Sequence, residues 1–277
     1  LSVSIAAGGE RAEDVLGVQH QGTGPGQIGV SGTAITYGGV TIGTFTGGSS
    51  GSDLVITLNS SATPTRVTAL VKHITYENTD TDAPTAGART VRYVLTDGDG
   101  GTSANYDTTV TVTAVNDAPV NTVPGPQTVN EDTPLAISGL SANDVDGNLS
   151  TVQLDVTHGT LTVTLSGAAS INAGTNGSTT LTLSGSQVDI NATLASLTYQ
   201  GAADFAGADT LTMTSTDSNA VTDVDTVSIT VTAVNDTPMD LSLSANTVAE
   251  NASNGTVVGT VTGSDVDTGD TQTYALT

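Results

Sequence analysis

The sequence predicts an all-β chain built of successive modules, and three observations carry that reading. Val110, Val112 and Ala114 alternate with Thr109, Thr111 and Thr113, and Val227, Ile229, Val231 and Ala233 alternate with Thr226, Ser228, Thr230 and Thr232. That is the period of a half-buried strand. The phrase Thr111-Val-Thr-Ala-Val-Asn-Asp-Ala-Pro119 returns as Thr230-Val-Thr-Ala-Val-Asn-Asp-Thr-Pro238, eight residues of nine matching at an offset of 119. Such an offset is the length of a domain, not of a solenoid repeat. Thr makes up about one residue in five, with Gly, Ser, Val and Asn also abundant, a composition that suits strands and turns and is poor for helices.

In both copies the alternating strand runs into Asn and Asp, which favour turns and carry oxygens, and then into a Pro that cannot donate to a ladder. The phrase therefore reads as a last strand followed by a short, stiff, oxygen-bearing linker. It divides the chain into residues 1–117, an N-terminally truncated module, residues 118–236, a complete one, and residues 237–277, the truncated start of a third. About 40 residues without a staple rarely bury enough surface to be stable alone, so the third segment is expected to be only partly ordered by itself.

Along the first module, Leu1, Val3 and Ile5 alternate, and short strands follow at Ile28–Val30, Ile35–Tyr37, Val40–Ile42 and Leu54–Leu58 between glycine-rich turns. Val67, Leu70, Val71 and Ile74 then fall at helical spacing, and Val91, Tyr93 and Leu95 resume the strand pattern. The second module repeats the plan, with a proline-rich lead-in at Val120–Pro126, strands at Leu161–Leu165 and Leu181–Leu183, and a helix through Ile190, Leu194 and Leu197. Both helices end in an aliphatic-Thr-Tyr triplet, Ile74-Thr75-Tyr76 and Leu197-Thr198-Tyr199, which fixes the register between modules.

Charge narrows the function. Lys and Arg total 5 against 28 Asp and Glu, a net charge of −23, so nucleic acid and anionic membranes are repelled. With 36% hydrophobic residues in regular alternation, folded modules are favoured over an acidic disordered chain. Cysteine is absent, which removes disulfides and thiolate chemistry. No apolar run is long enough to span a bilayer, and no signal peptide follows Leu1, so the chain reads as an excerpt or its export is signalled elsewhere.

Carboxylates one residue apart, followed by Gly, can turn their oxygens toward one point. Asp144-Val-Asp146-Gly147 is such a pair and Asp265-Val-Asp267, followed by Thr268, repeats its carboxylate spacing; they stand 27 and 29 residues after the linker residues Asp117 and Asp236. Oxygen donors without His or Cys select hard cations, and Ca²⁺ accepts six to eight of them in irregular geometry. Lone Asp-x-Asp-Gly segments are also ordinary turns; it is the recurrence at nearly the same distance that points to Ca²⁺.

The linker Ala114–Pro119, the Glu131-Asp132-Thr133-Pro134 segment, Asp144-Val-Asp146-Gly147, Asp217 and Asp97-Gly-Asp99-Gly together resemble the cadherin-like and VCBS-type Ig-like tandem repeats of large bacterial RTX adhesins exported by type I secretion. The resemblance implies antiparallel Ig/cadherin-like β-sandwiches in an elongated array, stiffened by Ca²⁺ between modules. By the cadherin pattern the first junction would use Asn116, Asp117, Asp144, Asp146 and Asp217, and the second Glu131, Asn235, Asp236, Asp265 and Asp267. The fuller Asp-x-Asn-Asp-Asn linker and the mid-module acidic motif of cadherins have no clear match; Asp204 and Asp209 are possible substitutes for the latter. The RTX nonapeptide is not found. The expectation is a non-catalytic stalk segment at a bacterial cell surface, its partners being neighbouring repeats and, through other domains, a host or neighbouring cell.

Catalysis finds little footing, because His20, His73 and His158 are scattered and no P-loop, metalloprotease or nucleophile-elbow pattern occurs. A carbohydrate-binding module, or an accessory β-sandwich of an extracellular enzyme, is the rival reading. With no Trp, 2 Phe and 6 Tyr a stacking platform for sugars is hard to assemble.

Overall fold

A computed structural model describes residues 1–267 and 271–275. The chain divides into two compact units, Leu1–Asp117 and Ala118–Thr277. The first contains β1 (Ser2–Ala7), β2 (Asp14–Val18), β3 (Ile28–Ser31), β4 (Ala34–Tyr37), β5 (Val40–Thr46), β6 (Leu54–Leu58), α1 (Pro64–Val71), β7 (Ile74–Asn78), β8 (Gly87–Val94) and β9 (Tyr106–Val112). Seven of these strands form one antiparallel sheet in the order β3-β4-β5-β6-β1-β8-β9, and β2 pairs with β7. The turn from β4 to β5 uses Gly38 and Gly39, both at positive φ (58° and 80°), the backbone that a two-residue turn requires to match strand twist. Val3, Ile28, Ile35, Ile42, Leu54 and Leu70 are fully buried between the layers.

α1 starts on Pro64, whose missing N–H costs nothing at a first helical position. Ile74, expected on the same helical stripe, instead opens β7, because the amide of His73 closes the helix on the Leu70 carbonyl at 2.9 Å.

The second unit begins with β10 (Val120–Thr122), β11 (Gln127–Asn130), β12 (Leu135–Ala136), β13 (Ser141–Asn143) and β14 (Leu149–Asp155). It continues through β15 (Gly159–Thr162), β16 (Ser170–Gly174), β17 (Thr180–Ser184), α2 (Gln187–Leu194) and β18 (Thr198–Gly201). β19 (Gly207–Asp217) and β20 (Thr222–Thr232), of 11 residues each, complete its body. One sheet runs β11-β20-β19-β14-β17-β16, a second β12-β18-β15, and β10 pairs with β13. All named pairs are antiparallel except β11 with β20, which is parallel. Ser186 caps α2 by accepting from the Asp189 amide at 3.1 Å, and Leu154, Leu181, Ile190, Leu194, Tyr199 and Leu211 fill the core.

Beyond the second linker, β21 (Met239–Leu243) pairs with β22 (Val261–Ser264). Every β21 residue is exposed. The Thr268-Gly269-Asp270 continuation of the last acidic motif lies outside the described residues.

Each unit sets the tyrosine of its aliphatic-Thr-Tyr triplet against a carboxylate, by different means, Tyr199 fully buried and Tyr76 half-buried. In the second, Tyr199 donates to Asp209 at 2.9 Å, and Asp209 also accepts from the amides of Thr157, His158 and Thr210. Burial pushes the Asp209 carboxyl up, but those amides and the phenol outweigh it and hold the group below the usual range; burial, aided by Asp209, pushes the Tyr199 phenol well up. In the first, Tyr76 donates to Asp14, which also pairs with Arg89 at 3.1 Å with both side chains 2% exposed. Gly87-Ala-Arg89-Thr and Gly207-Ala-Asp209-Thr start the matching strands β8 and β19. Arg89 thus occupies the position of Asp209, and the acid has moved to β2.

Candidate metal centre

In the second unit the parallel pairing of β11 with β20 sets Asn130 opposite Thr232, so both chains leave the sheet side by side. The Glu131 amide bonds the Thr232 carbonyl at 2.9 Å, and Glu131 Oε1 accepts from the Val234 amide at 2.6 Å. That bond draws the carboxylate, only 7% exposed, over the start of the linker. Two residues on, the Asp236 amide donates to Asp267 Oδ2 at 2.6 Å, and the Asp267 amide donates to Asp265 Oδ1 at 3.1 Å. Asn235 Nδ2 bonds the Asp236 carbonyl at 2.7 Å, which folds the linker tightly.

Carboxylate oxygens of Glu131, Asp236 and Asp267 consequently lie within 4.8 Å of one another. Asp132, Asp204 and Asp236 form a second such group, so Asp236 belongs to both. Asp132 and Asp204 sit in turns at positive φ (56° and 55°), and the Asp204 amide donates to Asp132 Oδ1 at 3.3 Å. A cleft of about 380 Å³ beside these groups is lined by Asn235, Asp236 and Asp265 among others.

Asp236 Oδ2 is buried and has no hydrogen-bond partner. Burial first, then the carboxylates of Asp204, Asp267, Asp132 and Glu131, pushes its carboxyl above the ordinary value. The second unit has no Lys or Arg of its own to relieve this: Arg11, Arg66, Lys72, Arg89 and Arg92 all belong to the first unit. A donor set made only of carboxylates, with one buried oxygen unbonded, fits a hard divalent ion of the Ca²⁺ type.

Of the residues expected at the second junction, Glu131, Asp236 and Asp267 meet, while Asn235 and Asp265 brace the linker and its partner turn. Asp132 was not expected, although it stands beside Glu131 and shares its turn. Asp204 takes part. Asp209 does not, since its hydrogen bonds are spent on Tyr199 and three amides.

The residues expected at the first junction divide between the units. Asn116 and Asp117 end the first unit, where Asn116 Nδ2 bonds the Asp117 carbonyl at 2.9 Å, the same turn as at Asn235. In the second unit Asp144 is 3% exposed, with its amide on Gln187 Oε1, Asp146 is half-buried, and Asp217 Oδ1 accepts from the Asn219 and Val221 amides at 2.8 Å each. A bond from the Ser218 amide to the Asn148 carbonyl closes the Asp217 loop onto the Asp144–Asn148 turn.

The histidines have structural partners. His20 Nδ1 accepts from the Val30 amide, His73 Nδ1 contacts the Ala69 carbonyl, and His158 stacks on Phe205 with ring centroids 4.5 Å apart. Among the described residues no helix is long and apolar enough to cross a membrane.

Residues 140–226, under a third of the chain, match the family model described as Protein GAMETE EXPRESSED 2 domain. That is a different family from the VCBS-type repeats the linker phrase resembles. No curated protein matches the sequence significantly. Among solved structures, the fibronectin(III)-like modules of Clostridium thermocellum CbhA align at 16% identity and TM-score 0.25, over 83% of this chain and 94% of theirs. Human CDH23 EC21-23 aligns at 15% identity and TM-score 0.32, over 93% of this chain and 70% of that one. Protocadherin Gamma B7 extracellular cadherin domains 1-4 align at 15% and 0.32, and there the chain spans half of the other's length. At such values function is read from the carboxylates and not from these neighbours.

Proposed function

We propose that the chain is a non-catalytic, Ca²⁺-stiffened stalk segment of a large extracellular adhesin, of the type bacteria export by type I secretion, and that adhesion proper resides in other domains. The observation that carries this reading is Asp236 in the linker. Its buried, unbonded oxygen stands among the carboxylates of Glu131, Asp267, Asp132 and Asp204, in a unit without Lys or Arg. Each nearby like charge opposes the fold of this linker until a cation arrives, so ion binding and linker order are coupled. Binding there would hold β22 and the following turn against the end of β20, fixing the angle at which the next module leaves.

The test is a chelator-competition titration with Ca²⁺, accompanied by small-angle scattering. At least one Ca²⁺ per chain binds, and the largest dimension of the particle becomes longer and better defined. Absence of binding at millimolar Ca²⁺, or binding to a glycan array in its place, overturns the proposal.

A further inference from the structure

The second unit carries a further Asp-x-Asp pair, Asp223-Val224-Asp225, and this one lies on a strand, β20. Residues two apart on a strand share a face at a spacing of about 7 Å. Asp223 and Asp225 are half-buried, whereas Thr222, Val224 and Thr226 between and around them are exposed, so both carboxylates stand on the inner side. Directly opposite on β19 are Ser215 and Met213, and residues paired in this way point to one side with Cβ atoms about 5 Å apart. Ser215 is 0% exposed, and its Oγ has no hydrogen-bond partner among the described residues.

β10 lies over this face. The Asn121 amide donates to Asp223 Oδ2 at 2.7 Å, and Asn121 Nδ2 donates to the Asp223 and Met213 carbonyls at 3.0 and 3.4 Å. The donors of Asn121 are thus spent on the sheet, while its Oδ1 is buried without a partner. Two orphaned oxygens therefore face one layer, the space between β10 and the β19–β20 hairpin. A buried polar atom left unbonded is costly, and each one calls for a partner that the chain itself does not supply.

The sandwich does not require polar groups here. Counting from the matched starts Gly87-Ala-Arg89-Thr and Gly207-Ala-Asp209-Thr, Ser215 stands where the first unit has Leu95. Asp225, paired with Met213, stands where that unit has Tyr106, paired with Tyr93.

We propose that Asn121 Oδ1, Ser215 Oγ and the carboxylates of Asp223 and Asp225 bind a divalent cation of the Ca²⁺ type inside the second unit. Amide, hydroxyl and carboxylate oxygens are the donors that hard cations take, and oxygens on one Ca²⁺ stand up to about 5 Å apart, within reach of short side chains at this spacing. Two carboxylates in a unit without Lys or Arg of its own favour a divalent ion over a water molecule or a monovalent one. The ion gives β10 an anchor it otherwise has little of, since this strand has only 3 residues and its ladder partner is β13 alone. It does not rest on the linker centre: Asp223 stands nine residues before Thr232 on β20, about 30 Å along an extended strand.

The test is Ca²⁺ counting by equilibrium dialysis, together with hydrogen exchange at Val120–Thr122, on the full chain and three variants. Asp236→Asn disables the linker centre, Asp223→Asn with Asp225→Asn disables this site while each side chain keeps an acceptor oxygen, and Ser215→Ala deletes only the unbonded hydroxyl. In wild type and in Asp236→Asn, Ca²⁺ slows exchange at β10 by at least about tenfold. The double variant binds one ion fewer than wild type and loses that protection. Ser215→Ala melts no lower than wild type in chelator, yet binds this ion about tenfold more weakly, the scale of one lost polar contact. Equal ion counts in wild type and the double variant, or no protection of β10 in Asp236→Asn, would overturn the proposal. So would a Ser215→Ala protein that melts lower in chelator and binds Ca²⁺ unchanged, which would mark a bridging water as the occupant. A count lowered by Asp236→Asn alone overturns this site and leaves the linker centre standing; a count lowered by the double variant alone does the reverse.

Discussion

Replacing Arg89 with Met should unfold the first unit at a much lower temperature. The guanidinium bonds Asp14 through Nε at 3.1 Å and the Thr85 carbonyl through Nη2 at 2.6 Å, with both charged side chains 2% exposed. Removing one partner of a buried pair leaves the other desolvated and typically costs about 3–5 kcal/mol. For a unit of this size, near the boundary between small and medium domains, each kcal/mol moves the midpoint by about 4 °C, so a fall of about 12–20 °C is expected. Calorimetry of the full chain measures it, with hydrogen exchange at β8 assigning the transition. Adding Asp14→Asn to Arg89→Met removes the stranded charge while keeping an acceptor for Tyr76, and should recover most of the loss. Arg92→Met is the control: its pair with Asp107 is two-point at 2.8 Å but 36% and 40% exposed, and water screens it. A fall under about 4 °C for Arg89→Met, or a double variant no better than the single, refutes a buried charge as the organising contact.

Two further outcomes follow from the second unit. Asp236→Asn should raise the melting temperature in chelator, because its folded carboxyl lies above the unfolded value and the ionised form therefore destabilises the fold above that value; the same variant should lose most of the gain that Ca²⁺ gives wild type, and equal Ca²⁺ responses in the two would exclude Asp236 as a ligand. Asp209 has the opposite sign. Its folded carboxyl is depressed, so its contribution is present above the ordinary carboxylate value and is lost as pH falls below about 4, and melting curves of Asp209→Asn should show a weaker decline across that acid range than wild type.

The sandwich strands were legible because alternation survives wherever one face meets a core, as in Val227, Ile229 and Val231, all 3% exposed or less. The helices were legible as to place but not as to end, since Ile74 keeps helical spacing while the chain has already turned at Lys72 and His73. Long-range pairing was not legible at all. Nothing local in Gln127–Asn130 announces a parallel partner about a hundred residues later, and that pairing is what carries Glu131 to the linker. Asp132 escaped for the same reason, and Asp204 was named only as a possible substitute, because the two become neighbours only after β11 and the β18–β19 turn are in place. The acids of the linker and of Asp265-Val-Asp267 were visible because the repeat spacing measured their separation directly. The Tyr76 and Tyr199 triplets were equally visible, but their differing acid partners, Asp14 and Asp209, were not, since each arrives from a different strand.

The parallel contact of β11 with β20 has a mechanical meaning. Both strands point the same way, from Gln127 toward Asn130 and from Ile229 toward Thr232. A pull that drags the N-terminal end of the unit backward and the linker forward slides them lengthwise past each other. In that geometry the ladder bonds must yield together and not one at a time, as they would if a hairpin were peeled open. The Glu131 amide on Thr232, the Thr232 hydroxyl on Asn130 Oδ1 at 2.7 Å and the Glu131 carboxylate on Val234 extend the same clamp past the last paired residue. An ion seated on Glu131 and Asp236 would therefore grip the chain at the point where tension enters, and a pulled module would share the load between its sheet and its metal centre.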